Sequence, residues 1–137
     1  MAYWLLKSEP SSWSWIQQVA AGEEGTPWNG VRNHVAKKNL QAMRRGDEAF
    51  FYHSGEGRAV VGIVAVTREF YPDPTDESGK FGMVDVKLVR ALPHPVGLDR
   101  IKAEPTLKGM ALVTHSRLSV QPVTDAEWRT ICPMGGL

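Results

Sequence analysis

The stretch Tyr3-Trp4-Leu5-Leu6-Lys7-Ser8-Glu9-Pro10 decides how the rest of the chain is read. Four apolar residues run directly into three polar ones, and Pro10 closes the run. The apolar half is short, aromatic and aliphatic, and it leads to a proline that cannot continue a ladder, so it predicts a buried strand. The polar half sets a cation, a hydroxyl and a carboxylate at the mouth of that strand, where a rigid scaffold commonly carries binding groups. The remaining elements must supply a pocket for those groups to face.

A chain of 137 residues, 42% hydrophobic and 23% charged, is expected to form one soluble domain over residues 1–137 with a single core. No apolar run approaches the roughly 20 residues of a membrane-crossing helix. No basic segment followed by an apolar one opens the chain, so no signal peptide is read and a cytoplasmic protein is expected. The single cysteine, Cys132, excludes an internal disulfide framework and a multi-cysteine metal site. His34, His94 and His115 show no ligand spacing, so neither metal nor cofactor is expected.

The net charge of +1 hides an uneven distribution. Arg32, Lys37, Lys38, Arg44 and Arg45 fall between Val31 and Gly46 with no acid among them, whereas Asp73, Asp76 and Glu77 gather elsewhere. One basic face is what a phosphate backbone needs, whatever the total charge. Trp is over-represented at five residues, more than a small core requires, so some are free for another task.

In chain order, Ser11 or Ser12 is expected to cap a helix carrying Trp13, Ile16, Val19 and Ala20 inward, stopped by Gly22. A glycine-rich loop follows to Gly30 and carries Trp28, either a lid over the core edge or an aromatic wall. From Asn33 to Met43 the spacing predicts a helix with Val35, Ala36, Leu40, Ala42 and Met43 on one side and the cations opposite. Those cations lack the Glu–Lys pairs of a merely solvated helix. Arg32 projects toward the apolar side if the helix includes it, where it needs an acceptor.

Glu48 to Ser54 reads as a strand with Phe51 and His53 on one face, and Gly55-Glu56-Gly57 as a hairpin connection. Ala59 to Phe70 is nearly continuously apolar, hence a strand covered on both faces, with Gly62 marking a bulge or a close backbone approach. Two prolines make Tyr71 to Thr75 irregular. Phe81 to Leu92 alternates as a strand, which Pro93-His94-Pro95-Val96 should end. Leu98 to Ala103 reads as a short helix or turn and Ser119 to Val123 as a last strand. Thr124 with Glu127 forms a capping box for a final helix anchored by Trp128 and Ile131. The order β-α-α-β-β-β-α-β-α predicts an α+β fold: a twisted, partly closed β-barrel of about five to six mostly antiparallel strands with helices packed around it.

With these segments in place, the chain resembles the EVE domain family of the PUA-like group, and a bacterial member of it. The resemblance rests on Tyr-Trp-Leu-Leu-Lys-Ser-Glu-Pro at 3–10, Trp-Asn-Gly-Val-Arg-Asn at 28–33, Phe-Phe-Tyr-His-Ser at 50–54, Val-Gly-Ile at 61–63 and Tyr-Pro-Asp-Pro-Thr at 71–75. It implies a non-enzymatic reader that holds a modified base of DNA or RNA, flipped into a pocket beside the barrel. By position, Lys7, Ser8 and Glu9 match the first pocket segment of the related YTH domains, and Trp28 matches their loop tryptophan. Tyr71 and Pro72 stand where a further aromatic wall lies, without its tryptophan, so a modified cytosine ranks beside N6-methyladenine. Arg32, Asn33, His53 and Ser54 complete the candidate base-binding set.

Chemistry agrees with such a site, since a flipped base wants aromatic faces and a few fixed hydrogen-bonding groups. Lys7 and Arg32 join Lys37, Lys38, Arg44 and Arg45 as candidate phosphate contacts. The expected partner is therefore a modified nucleic acid, bound by a monomer without a membrane. The chief rival is a small hydrolase, an amidohydrolase acting on a modified nucleoside through Lys7 and Ser8. Neighbours on a strand point to opposite faces, which disfavours that dyad. A protein-interaction adaptor is the third reading and needs an exposed apolar patch.

Overall fold

The computed structural model describes residues 1–55 and 57–137. Glu56, in the expected hairpin connection, lies outside the described residues. Among the described residues six strands form one mixed, open sheet in the order β2-β5-β4-β3-β1-β6. The strands are β1 (Tyr3–Ser8), β2 (Thr26–Pro27), β3 (Glu48–His53), β4 (Ala59–Pro72), β5 (Gly82–Gly97) and β6 (Val120–Val123). β1 pairs parallel to β3, and the other pairings are antiparallel. The helices are α1 (Trp15–Ala21), α2 (His34–Ala42), α3 (Leu98–Ala103), α4 (Ala111–Thr114) and α5 (Asp125–Met134). This is the α+β, partly open barrel-like sheet expected. Among the described residues no helix is long and apolar enough to cross a membrane.

The double apolar pairs in the strands explain the layering. Successive strand residues face opposite ways, so Leu5-Leu6 and Phe50-Phe51 each serve two faces at once. Trp4, Leu6, Ala49 and Phe51 enter one core with Trp28, Ala36, Leu40 and Met43, beneath α2. Leu5, Phe50 and Tyr52 enter the other with Ile101, Leu112, Trp128 and Ile131, beneath α3, α4 and α5. There Trp128 stacks on Phe50 and Tyr3 at 4.0 and 4.2 Å between ring centres. The capping box forms as the spacing requires: Glu127 N–H donates to Thr124 Oγ1 at 3.1 Å and Thr124 N–H to Glu127 Oε1 at 2.9 Å.

Several boundaries differ from expectation. The first helix is capped by Ser14, not Ser11 or Ser12. That later start moves its inward stripe to Trp15 and Gln18, leaving Ile16 79% exposed and Val19 44%. Val35 and Ala42 of α2 are likewise exposed, and Ala36, Leu40 and Met43 carry its packing. Thr26–Pro27, read as loop, forms a short strand against β5. β4 runs on to Pro72, and β5 continues through Pro93 and Pro95 to Gly97. Neither proline of that β5 extension breaks the sheet, because the ladder with β4 passes from Ala91 to Val96 without pairing the residues between, so no ladder hydrogen bond is asked of Pro93 or Pro95. Gly62 fulfils both of its readings. The ladder shifts register beside it, and a Cβ there would lie 2.2 Å from the ring of Trp15.

Candidate functional site

The end of β1 opens into a cleft of about 550 Å3. Lys7, Ser8 and Glu9 contribute to it from the strand and its exit, Ser12 and Trp13 from the turn before α1, and Thr26, Pro27, Trp28, Asn29 and Gly30 from β2 and its continuation. The cleft therefore brings together Lys7, Ser8, Glu9 and Trp28 of the candidate set, and adds a second tryptophan.

Both indoles are fixed. Trp28 is only 7% exposed, meets Phe51 edge-on at 5.4 Å, and donates its backbone N–H to the Val84 carbonyl at 2.8 Å. Trp13 is half-buried and donates its indole N–H to Gln18 Oε1 at 2.8 Å. Gln18 is fully buried in α1 and passes the chain on, its Nε2 donating to Thr26 Oγ1 at 3.0 Å. Thr26 in turn donates to the Val86 carbonyl at 3.0 Å. Ser8 Oγ donates to the Trp13 carbonyl at 2.6 Å, so Trp13 is held through both backbone and ring. Because that bond uses its proton, the Ser8 hydroxyl meets a ligand as an acceptor. Glu9 is exposed and adds a carboxylate at the rim.

A buried carboxylate fixes the far side of the cleft. Asp73 accepts from Gly30 N–H at 2.9 Å and Arg32 Nη1 at 3.1 Å through one oxygen, and from Thr75 N–H and Oγ1 at 2.8 and 2.6 Å through the other. Burial opposes its ionisation, yet the donors from Thr75, Gly30 and Arg32 outweigh burial and hold its pKa down to about 2. Arg32, which precedes α2, thus has the acceptor it needed, and ties the loop carrying Trp28 to the turn after β4.

The other candidates lie outside the cleft. Asn33 caps α2, its side chain accepting from Ala36 N–H at 2.9 Å. His53 Nε2 accepts from Trp15 N–H at 3.0 Å, and burial pushes its pKa down, so the ring is held neutral. Ser54 belongs to a separate concavity on the other face of β1. Tyr71 donates to Asp85 and stacks under the Arg68 guanidinium 3.5 Å from its ring centre, with exposed Pro72 beside it at the end of β4. Lys37 lies 5.9 Å from the Phe81 ring centre and Lys38 is exposed. Arg44 and Arg45 sit with Met1 and Asp47 at the start of β1, roughly 20 Å from the cleft by strand length.

Lys7 and Ser8 leave β1 on opposite faces. Lys7 Nζ donates to the Ser116 carbonyl at 2.7 Å, and burial together with the Arg58 charge pulls its pKa down. Among the described residues no group of three His, Cys, Asp or Glu side chains is arranged to hold a metal. Sequence reasoning missed Trp13, Gln18, Thr26 and Asn29. The doubled Trp13-Ser14-Trp15 was a usable signal, since both indoles cannot share one helix stripe; Gln18 and Thr26 offered none.

Residues 2–134 match the EVE domain. Thymocyte nuclear protein 1 of Rattus norvegicus is 37% identical over 158 aligned residues, which span 92% of this chain and 70% of that protein. Protein Atu2648 from Agrobacterium tumefaciens superposes with a TM-score of 0.97 at 53% identity, covering 100% of this chain and 94% of that one. Human THYN1, solved in complex with 5-methylcytosine-containing DNA, superposes at 0.93 with 32% identity, covering 100% and 99%. The YTH domain of Zygosaccharomyces rouxii MRB1 shares the fold alone, with a TM-score of 0.60 at 16% identity over 98% and 86% of the two chains. On a match running nearly end to end, with relatives at this level of identity, the chain belongs to the EVE domain family.

Proposed function

We propose that this protein binds nucleic acid and takes a modified base, 5-methylcytosine being the first candidate, flipped into the cleft beside β1. The observation that carries the reading is the pairing of two fixed indoles, Trp13 and Trp28, with a polar rim in one cleft of about 550 Å3. That volume lies in the range of small-ligand sites. An indole offers a base a stacking surface worth about 1–3 kcal/mol. Glu9 accepts from an exocyclic amine, as carboxylates do from cytosine N4, and Ser8 accepts from a second donor. The related human protein solved with 5-methylcytosine-containing DNA supports the same ligand class.

Discrimination on this account is modest. Burying one added methyl group contributes about 0.8 kcal/mol, roughly a fourfold preference. The opposed directions of Lys7 and Ser8 favour binding over hydrolysis, because the base and nucleophile of a dyad must touch. The test is fluorescence anisotropy with matched oligonucleotides carrying cytosine, 5-methylcytosine, adenine or N6-methyladenine. One modified strand is expected to bind several-fold tighter than its unmodified partner, and Trp13→Ala to erase the difference. Equal affinity for all four in the wild type contradicts the proposal.

A further inference from the structure

On the other face of β1 from the cleft lies a second concavity of about 340 Å3, lined among others by Lys7, Tyr52, Ser54, Arg58, Lys102 and Ser116. Three cations converge there from β1, the start of β4 and α3. The one ion pair among the described residues joins Arg32 to Asp73, so none of these three cations is neutralised by a described carboxylate. No described acid lines the concavity; Asp99 lies in the adjoining one, beside Arg58, Arg100 and Lys102. Like charges are held together here at a cost. Lys7 is half-buried with its ammonium 5.9 Å from the Tyr52 ring centre, and both burial and the Arg58 charge disfavour its charged form.

Tyr52 adds a neutral donor to the same wall. The residue lines the concavity, and its hydroxyl, which makes no hydrogen bond to another described residue, is open to it. A hydroxyl donor, a seryl hydroxyl at Ser54 and three converging cations match an anion with several acceptor oxygens.

We propose that this concavity is a phosphate-binding site, in which Arg58 and Lys102 grip the anion and Tyr52 donates to it. A bound phosphate brings a compensating charge that no described carboxylate supplies. The site flanks the same strand end as the cleft, with Lys7 on one face of β1 and Ser8 on the other, so a phosphodiester of the strand that delivers the base reaches it. That choice of source rests on the proposed base-reading function; the anion site itself does not.

The test uses the full chain with Arg58→Gln and Lys102→Gln, both exposed positions outside the cleft. Two titrations are run: a labelled oligonucleotide from low to high salt, and inorganic phosphate followed by NMR on the amides of Ser54, Gly55 and Arg58. If the phosphate comes from a polynucleotide, each substitution weakens modified and unmodified strands by the same factor. Each then lowers the salt dependence of log K by about 0.7–0.9 per lost contact, and the modified-base preference is kept. If oligonucleotide binding is unchanged but inorganic phosphate shifts those amides in the wild type and not in the double variant, the site stands with a free phosphate compound as its source. Wild-type behaviour of the variants in both titrations overturns it. Loss of base preference without change in salt dependence would instead locate a failure in the cleft, and Trp13→Ala reports on the cleft alone.

Discussion

Replacing Asp73 with asparagine tests how the fold holds the cleft open. The carboxylate is 0% exposed in its side chain and receives four donors, two on each oxygen. The carboxamide would keep one acceptor oxygen and turn an amino group toward the donors of the other. The carboxyl pKa of about 2 in the fold, against about 3.9 in an unfolded chain, sets an upper limit near 2.5 kcal/mol on what ionisation contributes. The Arg32 partner is 38% exposed, and solvent screening reduces that contribution to about 1–2 kcal/mol. Urea unfolding is the assay: with a slope of about 1–3 kcal/mol per molar, the midpoint at pH 7 falls by roughly 0.3–2 M. The depressed pKa also gives the sign of the pH dependence. Stability from Asp73 is present above about pH 4 and is lost as pH falls toward about 2, so the gap between wild type and Asp73→Asn narrows over that interval. An unchanged midpoint at pH 7, or a gap of constant size down to pH 2, refutes the reasoning.

Two further substitutions probe the supports of the indoles. Gly62→Ala puts a methyl 2.2 Å from the Trp15 ring, so overpacking is expected to lower stability by about 1–3 kcal/mol, read as a fall in thermal midpoint; a neutral result would mean that α1 moves away freely. Gln18→Leu keeps the buried volume but removes the link between Trp13 and Thr26, for a loss of about 1 kcal/mol, faster exchange of the Trp13 indole N–H and weaker base preference. If indole exchange and preference both stay at wild-type values, Gln18 does not position Trp13.

Much of the sheet was legible because strands buried on both faces leave a plain record. Leu5-Leu6 and Phe50-Phe51 have no exposed face in any register, and the Thr124–Glu127 box announces its helix. Where the text misled, tertiary pairing overrode local preference. Pro93 and Pro95 sit in β5 because the ladder with β4 skips from Ala91 to Val96, an irregularity of strand pairing that the prolines do not reveal. The first helix was misphased for a different reason: Ser11, Ser12 and Ser14 are equivalent caps by composition, and tertiary contacts such as Trp15 against Gly62 and its N–H to His53 go with the third. For the cleft, the strand end and Trp28 were readable from position. Trp13 was signalled only by the doubled tryptophan and Gln18 not at all, because an indole held by a buried amide depends on the helix phase that the serines left open.

The most direct measurement follows the five indole N–H signals by NMR while a 5-methylcytosine oligonucleotide is added. The Trp13 and Trp28 signals are expected to shift with saturation, more than with the unmodified strand, while Trp128 in the opposite core stays still. Binding that leaves Trp13 and Trp28 unmoved, or moves them equally for cytosine and 5-methylcytosine, contradicts the proposal.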